Sequence, residues 1–250
     1  MDEIVGSQKD IARDILLFIT AYMSLQAQQD LPTELVARPL QEQSQQLSRP
    51  NLHVIAHSMG AQSAMLVATH APDLFASLTL FDPAMFPGGP LGKKLQSIPK
   101  SMYCRGLDFQ HESKFSLLSQ LKRNKRTRSW DPRIMEIFAE HGLVESPSGG
   151  LQLTAHPRLE LALYFDGATS TQCYDRFADL SLPINAIMPT RPLAVPAKML
   201  EEDFGKLPGK TRLTWVPKST HQLPLEHVDL CAELVSAWLR DVSQGAKARL

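Results

Sequence analysis

Asn51-Leu52-His53-Val54-Ile55-Ala56-His57-Ser58-Met59-Gly60-Ala61 is the stretch on which the reading of this chain turns. A short apolar run ends in a small residue, a histidine and a serine, with a glycine two positions further on. Residues 62–70 continue with helical character. Strand, sharp turn and helix, with a serine strained at the tip, make up a nucleophile elbow. So tight a turn asks for small residues two before and two after the serine. The usual pattern is G-x-S-x-G; here Ala56 replaces the first glycine and Gly60 keeps the second. An ordinary strand-to-helix turn containing a serine is the alternative, because a relaxed five-residue motif also arises by chance.

A second stretch supports the catalytic reading. In Leu213-Thr214-Trp215-Val216-Pro217-Lys218-Ser219-Thr220-His221-Gln222-Leu223-Pro224-Leu225-Glu226, a strand ends, a polar loop presents a histidine, and a helix begins near Leu225. A serine hydroxyl is a weak nucleophile until an imidazole takes its proton. A histidine on the loop after the last strand, later in the chain than the serine, is where an α/β-hydrolase arrangement places it. His221 is therefore the expected base. His227 falls where the helix has already begun and reads as a helical surface residue.

The third member is less direct. The expected strand over residues 184–188 runs into Pro189-Thr190-Arg191-Pro192, where Arg191 stands in the usual place of a carboxylate. An arginine cannot orient a neutral imidazole. The other available position is the end of the strand that follows the serine helix, Ser77-Leu78-Thr79-Leu80-Phe81, and there Asp82-Pro83 follows. Asp82 is the candidate that would hold the His221 tautomer; Asp166, in Tyr164-Phe165-Asp166-Gly167, is the other. Asp-Pro also opens turns at strand ends without any catalysis.

Composition bounds the rest. A chain of 250 residues, 43% hydrophobic with zero formal net charge, reads as one globular domain with room for an insertion. No apolar run approaches the length of a membrane span, and Met1-Asp2-Glu3-Ile4 is acidic where a signal peptide would be basic. Cys104, Cys173 and Cys231 lack paired spacing, which speaks for a reducing compartment and against a disulfide framework or zinc site. The histidines show no metal spacing, and neither a metal nor another cofactor is expected. Balanced charge gives no reason to expect a nucleic-acid partner. The basic run Lys122-Arg123-Asn124-Lys125-Arg126-Thr127-Arg128 reads as a solvated loop.

Along the chain, residues 7–28 read as a helix with Ile11, Ile15, Ile19 and Met23 on one face and Leu16 and Phe18 widening it. Residues 41–46 are a polar approach to the elbow strand. After the Asp82 strand comes Pro87-Gly88-Gly89-Pro90, and from there to Gly167 only helices are expected, residues 132–141 among them. A closing helix over 225–240 carries Leu230, Leu234 and Trp238 on one face. Strands alternating with helices imply α/β architecture with a parallel sheet. The division expected is a first part of the core over 1–86, a helical lid insertion over 87–167, and a second part of the core over 168–250.

The elbow, Leu80-Phe81-Asp82-Pro83, Ser129-Trp130-Asp131-Pro132 with His141-Gly142-Leu143, and Thr220-His221-Gln222-Leu223-Pro224-Leu225-Glu226 together resemble fungal α/β-hydrolases related to yeast peroxisomal lipase. That group includes the hydrolases of the Alternaria host-selective toxin clusters, which make the AK, AF and ACT toxins. The resemblance runs from Asp10 onward. It implies the α/β-hydrolase fold, with Ser58 as nucleophile, His221 as base and Asp82 as acid, and a peroxisomal acyl substrate. The tail agrees with that compartment: Ala248-Arg249-Leu250 is a variant of the S-K-L address read by the peroxisomal import receptor. A peroxisomal matrix location is preferred, with the cytoplasm as the alternative.

One departure cuts the other way. The residues before Ser58 read as helix and polar linker, with no strand before Leu52 and no His-Gly loop to donate the second oxyanion N–H. The expected sheet thus lacks its N-terminal strands, and the oxyanion hole keeps the Met59 amide alone. Loss of one such donor costs on the order of a hundred- to a thousandfold in rate. An incomplete version of its gene product, a half supplied by another chain, or a degenerate remnant would each account for this. Two expectations follow: a serine hydrolase of an acyl ester or thioester with a place in toxin synthesis, or a truncated, catalytically silent hydrolase-fold protein that binds a ligand or partner.

Overall fold

The computed structural model of the protein describes residues 8–22, 52–90, 93, 109–147, 149–154, 167–193 and 195–247. Asp166, Cys104, the linker at 41–46 and the terminal Ala248, Arg249 and Leu250 lie outside the described residues.

Among the described residues, four parallel strands form the central sheet: β1 (His53–His57), β2 (Ser77–Phe81), and two later strands, β6 (Ile184–Pro189) and β7 (Thr211–Val216). Their order is β1-β2-β6-β7, with His57 opposite Phe81, Phe81 opposite Ile187, and Pro189 opposite Val216. Every residue of β2 and β6 is buried. Leu78 and Leu80 on one face of β2 and Ser77 and Thr79 on the other are all covered, as in a parallel strand packed on both sides. At the edge, β1 is only partly buried, and Ile55 is exposed among the described residues.

Helix α2 (Ser58–His70) follows β1 without a break and buries Ala61 through Ala68. Apolar on nearly every side, it belongs in an interior. It lies against α1 (Gln8–Leu17), whose Ala12 is buried and whose Ile15 and Leu16 pack on the core. A π-helical turn, Phe18–Tyr22, follows; Ile19 packs inward while Phe18 is exposed, unlike the stripe expected from the sequence. The wider winding that begins at Phe18 changes the angular step between residues. Leu66, Leu78, Leu80, Ile184 and Ala186 join α2 and the sheet in the main core.

Between β2 and β6 the chain forms β3 (Gln110–His111), α3 (Lys114–Arg123), α4 (Pro132–His141), β4 (Leu143–Glu145), β5 (Leu151–Leu153) and α5 (Gly167–Asp175). The three strands make a small antiparallel sheet in the order β3-β5-β4. It is not legible in the residues, because two or three positions are too few to display alternation. Leu117, Leu121, Trp130, Met135 and Ala139 build a separate apolar cluster in this segment. The basic run ends α3 with Lys122 and Arg123 exposed, while Thr127 is buried and its hydroxyl donates to the Leu121 carbonyl at 2.6 Å.

The remaining helices are α6 (Ala197–Phe204), α7 (Leu223–Glu226) and α8 (Val228–Lys247). The single closing helix expected over 225–240 is two, because His227 takes φ −129° and ψ 55° between them. Cys231, Leu234, Val235 and Trp238 are turned inward, whereas Leu230 is exposed, so it does not belong to the buried stripe.

Candidate active site

In a parallel sheet all C-terminal strand ends lie along one edge, and loops leaving that edge can converge. Ser58 follows β1, Asp82 follows β2, Leu193 lies after β6, and His221 lies after β7. Three non-glycine residues have positive φ among the described residues: Ser58 (55°), Asp82 (38°) and Lys218 (57°). The left-handed region disfavours side chains, so such strain persists only where the surroundings enforce it. Two of the three are candidate site residues, and the third opens the loop bearing His221. The elbow is pinned from outside as well, since the Ala84 amide donates to the Ser58 carbonyl at 3.1 Å.

The structure brings Ser58, His221 and Asp82 into one hydrogen-bonded line. His221 Nδ1 lies 2.7 Å from Asp82 Oδ2, and His221 Nε2 lies 2.8 Å from Ser58 Oγ. A carboxylate only accepts, so Nδ1 carries the proton and donates. Nε2 is then left with its lone pair and accepts from the Ser58 hydroxyl. Asp82 is fully buried at its side chain, and Oδ2 also accepts from the Leu193 amide at 3.1 Å. The turn in which the sequence showed Arg191 in place of an acid thus contributes a backbone donor to the acid from β2, and Arg191 itself is exposed.

His57 has a part that the sequence reading did not assign. Its Nε2–H donates to the backbone carbonyl of His221 at 2.7 Å, and the two rings lie 4.8 Å apart at 37°. Burial, and then the neighbouring His221, push its pKa down to about 4, so it is neutral near pH 7. The residue was in plain view inside the elbow motif. Its partner is a backbone atom 164 positions away, and no local pattern encodes that.

Met59 lies in the first turn of α2, where backbone amides and the helix dipole favour negative charge. Gly60 is exposed, and a Cβ there would meet nothing within 4 Å, so sterics do not demand glycine as the tight-turn argument had it. His227 stands at the junction of α7 and α8, not within a helix. Burial raises the Cys173 thiol to about 12 and the Cys231 thiol to about 11, far from thiolate chemistry. Among the described residues no group of three or more His, Cys, Asp and Glu side chains is placed to hold a metal ion. Among them, too, no helix is long and apolar enough to cross a membrane.

Comparison with known proteins agrees with this geometry. The family profile described as "Alpha/beta hydrolase family" matches residues 19–234. The chain is 21% identical to the abhydrolase domain-containing protein AFT2-1 of Alternaria alternata over 234 residues, covering 74% of this chain and 81% of that protein. The fold is similar to that of the peroxisomal alpha-beta-hydrolase Lpx1 of Saccharomyces cerevisiae, with a TM-score of 0.68 and 17% identity. That match covers 94% of this chain, which spans only 60% of Lpx1. A similar fold is found in E-2-(acetamidomethylene)succinate hydrolase, with a TM-score of 0.66, 16% identity, and coverage of 96% of this chain and 76% of that one.

Proposed function

Because the chain belongs to the alpha/beta hydrolase family, we propose that it is a serine hydrolase that cleaves an acyl ester or thioester. The observation that carries this reading is the unbroken line from Ser58 Oγ through the His221 ring to the buried Asp82 carboxylate. Ser58 Oγ attacks the acyl carbonyl while His221 Nε2 takes its proton. The Met59 amide holds the oxyanion that develops on the carbonyl oxygen. His221 then returns the proton to the departing alcohol or thiol, and an acyl-enzyme remains on Ser58. Water, deprotonated by the same nitrogen, attacks that ester, and the acid leaves as Ser58 regains its proton. Asp82 stabilises the imidazolium formed in each half-reaction and keeps Nδ1 protonated.

The segment between β2 and β6 acts as a lid that selects the acyl group. The setting is the peroxisomal matrix, reached through Ala248-Arg249-Leu250, and the pathway is toxin biosynthesis. Similarity of the fold to the peroxisomal Lpx1 supports the setting.

The test is labelling of the purified chain with a fluorophosphonate, with Ser58→Ala as control. Labelling of the wild type alone is the expected result. Absence of labelling in a folded, monodisperse sample overturns the enzyme reading in favour of a silent hydrolase-fold protein. Fusion of a fluorescent protein to the N-terminus, with and without the last three residues, tests the compartment.

A further inference from the structure

Resting on the serine-hydrolase reading, we propose that Glu226 is a positioning residue that locks the His221 loop to residues 129–133, so that presentation of the base depends on where that helical segment sits. Thr220 and Gln222 flank His221, and both are held from outside the loop. The Glu226 carboxylate accepts from the Thr220 amide at 2.8 Å through Oε2 and from the Thr220 hydroxyl at 2.9 Å through Oε1. The same Oε1 accepts from the Ser129 hydroxyl at 2.8 Å. On the other side of His221, the Trp130 indole N–H donates to Gln222 Oε1 at 2.6 Å.

Two further ties cross the same junction. The Asp131 amide donates to the Leu225 carbonyl at 2.8 Å, and Arg133 donates two hydrogen bonds to Asp229 at 3.1 and 3.0 Å. Leu225 itself packs against the apolar cluster of Leu117, Leu121, Trp130, Met135 and Ala139. The His221 loop is thus part of the small core of the α3–α4 segment as much as of the sheet. His57 holds the His221 carbonyl from the elbow side, so the backbone that presents the imidazole to Asp82 and Ser58 is fixed at three successive residues. Hydrogen bonds to a carboxylate are the stronger kind, and a carboxylate receiving three donors from two segments is a joint between them. Glu226 touches none of the reacting atoms. It acts through Thr220.

The experiment compares the full chain with Glu226→Ala, Glu226→Gln and Ser129→Ala in two measurements. The first is fluorophosphonate labelling rate against probe concentration. Glu226→Ala should lower the limiting rate about tenfold and leave the half-saturating concentration within about twofold, the signature of a misplaced base. Ser129→Ala should lower it two- to threefold in the same sense. Glu226→Gln keeps the volume and one acceptor oxygen and should fall between wild type and Ala, which keeps the test valid if Glu226→Ala does not fold. The second is amide hydrogen exchange. Ser129→Ala should accelerate exchange over residues 218–224, and the Glu226 variants should accelerate it over residues 129–135. Exchange changes confined to the mutated segment overturn the proposal, as does an unchanged limiting rate in Glu226→Ala. Should the wild type fail to label, the serine-hydrolase reading falls, and exchange alone still decides whether the joint exists.

Discussion

His57 donates from its ring to the backbone carbonyl of His221 at 2.7 Å, so the residue beside Ser58 holds the backbone of the residue whose ring faces Ser58. The elbow and the histidine loop come from opposite ends of the chain, and this bond sets their separation directly. It also fixes the tautomer of His57, since a carbonyl only accepts and Nε2 must carry the proton.

The first prediction concerns that bond. His57→Phe keeps a ring beside His221 and loses the donor, and labelling of Ser58 should slow about tenfold. His57→Gln restores an N–H and should recover to within about threefold of wild type. Equal rates in Phe and Gln variants would show that packing, and not the donor, is what His57 supplies.

His57 should also leave a mark on acid stability. In the unfolded chain it takes a proton below its ordinary 6.5, but in the folded protein only below about 4. Between those values the unfolded state binds more protons, so acidification favours unfolding. The stability is fully present above pH 6.5 and is lost as pH falls towards 4, by about 3 kcal/mol at most. Urea denaturation from pH 7 to 4 should show a smaller loss in His57→Gln than in the wild type. Parallel curves for the two proteins would count against His57 as the source.

Asp82→Asn should lower the labelling rate by about a thousand- to ten-thousandfold while the protein still folds. The amide oxygen can still accept from Nδ1–H and from the Leu193 amide, but the side chain is neutral, so the imidazolium formed when Nε2 takes the Ser58 proton loses the charge that stabilises it. Labelling at a tenth of the wild-type rate or more would assign the orienting role elsewhere. Circular dichroism and monodispersity of the variant separate lost chemistry from lost fold.

The positive φ of Ser58 predicts a conflict between stability and function. Both Ser58→Ala and Ser58→Gly should abolish labelling, because both remove Oγ. Glycine tolerates the left-handed backbone that alanine resists, so Ser58→Gly should be the more stable by about 1 kcal/mol. Chemical denaturation of the pair decides it, and an alanine variant equal to or more stable than glycine would remove the strain argument.

At Gly60 the expectation is the opposite of what the sequence suggested. Gly60→Ala adds a methyl that meets nothing within 4 Å and improves helix propensity. A gain of about 1 kcal/mol in denaturation, with labelling retained, should follow. A loss of labelling with stability unchanged would mean that the exposed side of the elbow has a neighbour during the reaction.

What could be read from the residues alone came from patterns a few positions long. The run Leu52 to Ala56 followed by His57-Ser58-Met59-Gly60 announces a strand breaking into a helix, and Leu78 and Leu80, two positions apart, announce one buried face of a strand; burial of Ser77 and Thr79 on the other face is visible only in the sheet. Residues 132–141 carry Pro at the first helical position behind an Asp cap, which marks the start of α4. Short strands such as Gln110–His111 were invisible because they hold too few residues to show a period.

The sequence by itself determined that a serine would stand at an elbow, that a histidine would be offered on a loop after the last strand, and that an Asp-Pro step would follow β2. Each depends on backbone geometry within one turn or one strand, which neighbouring residues dictate. Only the tertiary structure decided that Asp82 faces His221, that the turn after β6 supplies the Leu193 amide, that His57 holds the His221 carbonyl, and that Glu226 joins Thr220 to Ser129. Those partners are separated by up to 164 positions, and only the register of four parallel strands brings their loops to one edge. A hydrogen bond to a distant backbone atom leaves no trace in composition or periodicity, because any residue type can supply the carbonyl.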